Sequence, residues 1–247
     1  MIEFNKIYNE DCLEGMKRIP DKSVDMILCD LPYGTTACKW DTIIPFEPLW
    51  EQYNRIIKDN GAIVLTASQP FTSVLINSNI NDYRYNWVWN KKISGNPFLA
   101  KYQPLKIHED VCVFSKKTHV YKPIKTDLNK TRKYKDKYGG GESFGKKGTG
   151  DKMHETKGKY PVSILEFSNA RRKGNTHPTQ KPVPLFEYLI KTYTNEGDTV
   201  LDNCMGSGTT AVAALNTGRN FIGFELDETY YNLSNKRIED RLQEVGE

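Results

Sequence analysis

Two stretches of apolar sequence, each cut off by an aspartate and a tight turn, limit what this chain can fold into. Val24 to Cys29 runs into Asp30-Leu31-Pro32-Tyr33-Gly34, and Thr199 to Leu201 runs into Asp202-Asn203-Cys204-Met205-Gly206-Ser207-Gly208-Thr209-Thr210. Short, mainly hydrophobic runs suit parallel strands buried on both faces. In an open sheet of such strands, ligands gather at the carboxyl ends, and there both motifs are expected to stand.

The rest of the chain alternates in the same way. Strands are expected at Phe4–Tyr8, Val24–Cys29, Ala62–Thr66, Tyr83–Trp89, Asp110–Phe114, Thr199–Leu201 and Asn220–Phe224. Helices are expected at Leu13–Ile19, closed by Pro20, and at Phe46–Lys58, stopped by Asn60-Gly61. Further helices are expected at Gln69–Asn77 with Pro70 in the first turn, Val183–Tyr193, Thr209–Leu215 and Asp227–Gln243. This order predicts one α/β domain over residues 1–247, built on a mostly parallel sheet. Beyond Lys116 the periodicity dissolves among glycines and charges, which marks a basic insertion over residues 116–176. Part of Thr126 to Lys159 is expected to be mobile on its own.

Charge is unevenly placed. The whole chain carries +4, yet Lys116 through Lys181 holds 18 Lys/Arg against 6 Asp/Glu, so the remainder is acidic. A segregated positive field of this kind serves a polyanion through steering and counterion release. Aromatic rings interleave with the cations in Lys130-Thr131-Arg132-Lys133-Tyr134-Lys135-Asp136-Lys137-Tyr138, as suits stacking against bases. A solvated basic loop is the plainer alternative. The five cysteines, Cys12, Cys29, Cys38, Cys112 and Cys204, are scattered without a C-x-x-C pair. No metal site or disulfide framework is expected from them. No apolar run reaches transmembrane length and no signal-peptide pattern opens the chain, so a cytoplasmic protein without membrane attachment is expected.

At the later motif, Gly206-Ser207-Gly208 forms a turn into a helix and leaves room for a ligand to approach the backbone. No G-x-x-x-x-G-K-[ST] pattern exists, which disfavours an ATP-type phosphate loop, and Ala211 stands where a dinucleotide fingerprint has its third glycine. Glu225 ends the next strand, a position suited to accepting hydrogen bonds from ribose hydroxyls. At the earlier motif, Pro32 fixes its own φ and restricts Leu31. The Asp30 carboxylate and the Leu31 carbonyl are then placed to accept hydrogen bonds from an exocyclic amine, with Tyr33 stacked on its ring. A capping aspartate in an ordinary turn is the structural alternative for Asp30 and for Asp202.

Together these residues resemble the DNA amino-methyltransferases, in the permuted beta group whose catalytic motif precedes the cofactor motif. Asp30-Leu31-Pro32-Tyr33 is similar to the family's D-P-P-Y, and Asp202 through Gly208 resembles its D-P-F-x-G-S-G-T-T loop. His177-Pro178-Thr179-Gln180-Lys181-Pro182 matches H-P-T-Q-K-P, and Asn9-Glu10-Asp11-Cys12-Leu13 resembles the N-terminal G-D-C-L element. The resemblance implies a Rossmann-like S-adenosylmethionine-dependent methyltransferase fold with the basic segment as target-recognition insertion. It implies that S-adenosylmethionine lies over Gly206-Ser207-Gly208, bordered by Asp202, Cys204 and Thr209. Glu225 would hold its ribose, Asp11 its adenine, and Thr179 and Lys181 would help enclose it. The target base would leave duplex DNA to stack on Tyr33, with Asp30 and Leu31 orienting its amine for direct transfer. Lys39, Arg132, Lys133, Arg171 and Arg172 are the candidate DNA contacts.

Two positions depart from the family pattern: Leu31 replaces the first proline, and Asn203-Cys204 replaces Pro-Phe. Chemistry at cytosine C5 would require a Pro-Cys nucleophile, which the sequence lacks. Asp as the first motif residue favours N6 of adenine in this family, with N4 of cytosine as the alternative. RNA and protein glutamine rank lower. A non-catalytic nucleic-acid-binding module would leave Asp30, Asp202, Gly206 and Glu225 without a purpose. A homodimer and a separate cognate restriction nuclease are compatible partners.

Overall fold

The computed structural model describes residues 2–35, 41–94, 97–135, 153–169 and 180–246. They form two compact units, one of residues 1–122 with 163–247 and one of residues 123–162. The larger unit holds strands β1 (Lys6–Tyr8), β2 (Val24–Asp30), β3 (Ile57–Ala67), β4 (Tyr83–Asn90) and β5 (His108–Phe114). The smaller unit is a hairpin of β6 (Thr126–Lys135) and β7 (Met153–Lys159). The larger unit resumes with β8 (Ile164–Glu166), β9 (Thr199–Asp202) and β10 (Asn220–Phe224). Its helices are α1 (Cys12–Met16), α2 (Phe46–Ile56), α3 (Phe71–Ser78), α4 (Val183–Tyr193), α5 (Thr209–Asn216) and α6 (Glu228–Gly246). Among the described residues, no helix is long and apolar enough to cross a membrane.

The eight-stranded sheet has the order β1-β10-β9-β2-β3-β5-β4-β8. All neighbours pair in parallel except β5, which runs antiparallel to both β3 and β4. Successive residues of β2 bury into opposite cores. Met26 and Leu28 pack with Val64, Phe186 and Leu189, whereas Ile27 and Cys29 pack with Met16, Trp50 and Leu75. This two-sided burial explains the near absence of polar residues in that run.

The topology also locates a crevice. From β2 the chain crosses through α2 to β3, and from β9 it crosses through α5 to β10, on the other side. Residues of α2 pack in one core and residues of α5 in the other. The two connections diverge between β2 and β9, and such a switch point opens a cleft beyond the strand ends. Asp30 and Asp202 are the last residues of those two strands.

Three expectations need correction. Asn60-Gly61 does not end a helix; α2 passes directly into β3 at Ile57, and both residues lie within that strand. The register moves from Val24↔Ile57 to Met26↔Ala62, so β3 bulges opposite Asp25. A Cβ on Gly61 would stand 2.7 Å from the Asp25 carbonyl oxygen, so glycine is required by close approach of the neighbouring strand. Second, α1 ends at Met16, short of Ile19. Third, the basic segment contains the paired strands β6 and β7, and β8 within it joins the main sheet beside β4. Residues 136–152 of that segment lie outside the described residues.

Replacing Gly61 with alanine forces β2 and β3 apart at the bulge. Urea unfolding is expected to show a loss of about 1–3 kcal/mol, the usual cost of overpacking a filled site.

Candidate active site

Asp30 ends β2 opposite Thr66 of β3. Its Oδ1 accepts a hydrogen bond from the Thr66 hydroxyl and lies 2.8 Å from the Tyr33 hydroxyl. Its Oδ2 accepts from Lys181 Nζ at 2.7 Å. The same ammonium lies 3.5 Å from Glu109 Oε2, and Lys91 Nζ holds Glu109 Oε1 at 2.9 Å. Two carboxylates and two ammonium groups thus alternate through a poorly solvated region, with the Lys181 side chain only 9% exposed.

Mutual attraction offsets desolvation here. Burial lowers the Lys181 pKa, but the carboxylates of Asp30 and Glu109 outweigh it and the net shift is upward. Burial raises the Glu109 carboxyl, and the ammonium groups of Lys181 and Lys91 bring it below its ordinary value. Burial, with the negative charges of Asp30 and Glu109, pushes the Tyr33 phenol well above its usual range, so it remains a hydrogen-bond donor.

The turn after Asp30 is fixed from both ends. Leu31 is buried in the core with α1 and α3, and the Tyr33 ring stacks on Phe71 at 5.1 Å. The Asp41 carboxylate accepts from the backbone N–H groups of Gly34 and Thr35 at 2.8 and 2.9 Å.

Across the crevice, Asp202 is buried and closes its own turn. Its Oδ1 accepts from the Cys204 backbone N–H at 3.0 Å and its Oδ2 from the Thr210 hydroxyl. Burial raises its pKa to about 6, with those two donors acting in the opposite direction. Gly206 and Gly208 adopt φ of 53° and 81°, a region that favours glycine. At Gly208 the choice is doubly constrained, because a Cβ would stand 3.0 Å from Ser234 Cβ on α6. Arg237, also on α6, donates to the Ser207 carbonyl and approaches its hydroxyl at 3.1 Å.

Glu225 follows β10 and reaches back to this turn. Its Oε2 accepts from the Gly206 N–H at 2.6 Å and its Oε1 from the Asp227 N–H at 2.9 Å. Burial raises its pKa against those backbone donors. Each oxygen keeps a further lone pair for a hydroxyl donor. Asn9 Nδ2 bonds the Glu225 carbonyl at 2.8 Å, which brings the segment after β1 to the same place. Asp11 there caps α1, with Oδ1 accepting from Leu13 and Glu14 N–H.

Asp30, Lys181, Asp202, Cys204, Gly206, Ser207 and Thr209 line one cleft that opens to solvent. Thr209 Oγ1 donates to the Lys181 carbonyl at 3.3 Å, tying the two banks together. Asn203 is buried and satisfied, bonded by Tyr53 at 2.5 Å and donating toward the Cys12 and Cys204 sulfurs, so this departure from the family pattern is internally compensated. Arg132 and Lys133 lie on β6 in the smaller unit. Lys39, Arg171, Arg172 and Thr179 lie outside the described residues. The sequence reading missed Thr66, Glu109, Lys91 and Arg237. Glu109 alone left a trace, as an acid at the head of an apolar strand.

A nucleotide-like ligand fits this arrangement, because Glu225 has spare acceptor capacity beside a glycine turn that carries no obstructing side chains. Comparison with known proteins agrees. The DNA methylase family model matches residues 24–236, and the chain belongs to that family. Type II methyltransferase M1.MboII of Moraxella bovis is 29% identical over 95% of this chain and 96% of its own length. DNA adenine methyltransferase YhdJ of Escherichia coli (strain K12) is 28% identical over 96% of this chain and 83% of its own. The crystal structure of an M1.HpyAVI-SAM complex superposes with a TM-score of 0.62 at 25% identity, covering 94% of this chain and 98% of that one. PvuII DNA methyltransferase, cytosine-N4-specific, shares the fold with a TM-score of 0.68 at 16% identity, covering 99% and 93%. The fold is that of the α/β S-adenosylmethionine-dependent methyltransferases, on a mixed sheet.

The raised Asp202 pKa has a stability consequence. A carboxyl that binds its proton more tightly when folded favours the folded state while protonated. That advantage disappears as pH rises from about 4 to about 6. Relative to Asp202→Asn, the wild type is expected to lose unfolding free energy across this window, as read from urea midpoints at pH 4 and pH 6.5.

Proposed function

We propose that this chain transfers the methyl group of S-adenosylmethionine to the N6 amino group of adenine in duplex DNA. The observation that carries the reading is the Asp30 carboxylate, fixed across the β2–β9 crevice from the Gly206–Gly208 turn. The order of the motifs, catalytic before cofactor, is that of the permuted beta group. Membership of the DNA methylase family and the likeness to an adenine methyltransferase over 96% of the chain support the reading.

On this reading Glu225 accepts from the ribose hydroxyls, and the glycine turn with Asp202, Cys204, Ser207 and Thr209 supports the donor. Asp11, Thr179 and Lys181 complete its enclosure. Bound S-adenosylmethionine supplies an electrophilic methyl group on sulfur. Tyr33 stacks on the target base and the Leu31 carbonyl accepts one amino hydrogen. A carboxylate offers about four acceptor positions, and Thr66, Tyr33 and Lys181 occupy three of those on Asp30. The position left on Oδ2 takes the second amino hydrogen. Asp30 then holds the nitrogen lone pair in line and stabilises the positive charge that grows on nitrogen.

Residues 116–176 are the target-recognition insertion in this scheme. Arg132 and Lys133 are adjacent on β6 and so project to opposite faces of the ribbon, one available to bases and the other to phosphates. Lys39, Arg171 and Arg172 are the other proposed DNA contacts. A homodimer and a separate cognate nuclease are compatible with this scheme, as is a cytoplasmic location.

Cytosine N4 is the second reading, favoured by the fold shared with the PvuII enzyme. Incubation with methyl-labelled donor and unmethylated duplex DNA, followed by nucleoside mass spectrometry, separates the two. N6-methyldeoxyadenosine is expected. N4-methyldeoxycytidine would overturn the base assignment, and absence of label despite donor binding would overturn duplex DNA as substrate. Asp30→Ala is expected to bind the donor normally and to lose transfer by about 100-fold or more, the scale seen when one transition-state contact is removed.

A further inference from the structure

Residues 91–94 and 97–107 leave the sheet between β4 and β5. β5 is antiparallel to both neighbours, so β4 ends and β5 begins at the edge where β2 ends. The register runs from Asp30 through Thr66 to Val111, and from His108 to Asn90. This connection therefore rises beside the Asp30 carboxylate.

Its base is anchored. The Lys91 N–H donates to the Ile107 carbonyl at 2.7 Å, Lys91 Nζ holds Glu109 at 2.9 Å, and Lys106 Nζ donates to Ser68 Oγ at 2.5 Å. Its tip is a 3-10 turn, Pro97–Lys101, closed by Tyr102 and Gln103 N–H groups on the Leu99 carbonyl at 2.9 and 3.0 Å. A pinned backbone usually accompanies buried apolar side chains, and here it does the reverse. Phe98 is 87% exposed and Tyr102 84% exposed. The connection itself carries no acidic residue; Lys91 and Lys92 pair with Glu109 and Glu166 outside it, and Lys101 stands exposed beside the two rings.

We propose that Phe98 and Tyr102 are a wedge that enters the base stack of duplex DNA and fills the gap left when the target base turns out toward Asp30. The inference rests on the function proposed above. A base inside a duplex cannot reach a carboxylate in a cleft, so it must rotate out, and its departure exposes two base faces. Exposed aromatic side chains on a closed turn beside the receiving site match that gap. Lys101, exposed at the end of the 3-10 turn, matches a flanking phosphate.

The test uses the full chain. The wild type first maps its methylated site on unmethylated duplex DNA, and 2-aminopurine is then placed beside the target base in a synthetic duplex. Wild type is expected to raise 2-aminopurine fluorescence several-fold, and the Phe98→Ala/Tyr102→Ala double variant to lose most of that rise. The double variant should transfer methyl groups about 10-fold or more slowly on the paired duplex, yet within about 2-fold of wild type when the target faces an abasic site and the stack is already open. Tyr102→Trp should retain at least half the wild-type rate. Equal rates for wild type and double variant on the paired duplex, or equal impairment on both duplexes, would overturn the wedge. Loss of a wild-type dimer in sedimentation, with the fluorescence rise intact, would assign the patch to a second copy and overturn it too. A wild type that methylates no duplex DNA overturns the functional reading and the wedge with it; an active wild type matched by its variants removes the wedge alone.

Discussion

The ion pair between Lys181 and Asp30 joins residues 151 positions apart and holds the two banks of the cleft at a fixed distance. Neither charge is comfortable there without the other, because ions taken from water lose several kcal/mol of solvation each unless paired. Glu109 and Lys91 extend the pair to a charge-balanced set of four. The arrangement leaves Asp30 ionically restrained yet with one acceptor position open, which is what an amine-orienting carboxylate requires on the proposed mechanism.

The set depends on the sheet. β2 delivers Asp30, the segment before α4 delivers Lys181, and only the antiparallel insertion of β5 carries Glu109 to the same edge. On the opposite bank, α6 performs a comparable service, since Ser234 crowds Gly208 and Arg237 binds Ser207. The glycine turn is therefore held by protein contacts from behind while its front faces the cleft.

Legibility followed physical cause. Buried strands announce themselves as apolar runs, and Asp30, Asp202 and Glu225 were readable because each ends such a run. Glu109 showed only as an acid at the head of an apolar strand, because a strand's direction within a sheet leaves no mark on its own sequence. Lys181 was expected at the cofactor; its ammonium is engaged with Asp30 and Glu109 while the residue still lines the cleft. The β6–β7 ribbon escaped notice because its residues are polar on both faces, and period-two reading needs an apolar face. The Asn60-Gly61 pair misled for a related reason: glycine marks close backbone approach as well as helix ends.

The most direct measurement is single-turnover methyl transfer by Glu109→Gln, with donor affinity and the pH–rate profile recorded alongside. If Lys181, steadied by Glu109, positions Asp30, transfer slows by about 10-fold or more and its pH dependence moves, while donor affinity stays within about 2-fold. A folded Glu109→Gln variant with the wild-type rate and pH profile would contradict the account.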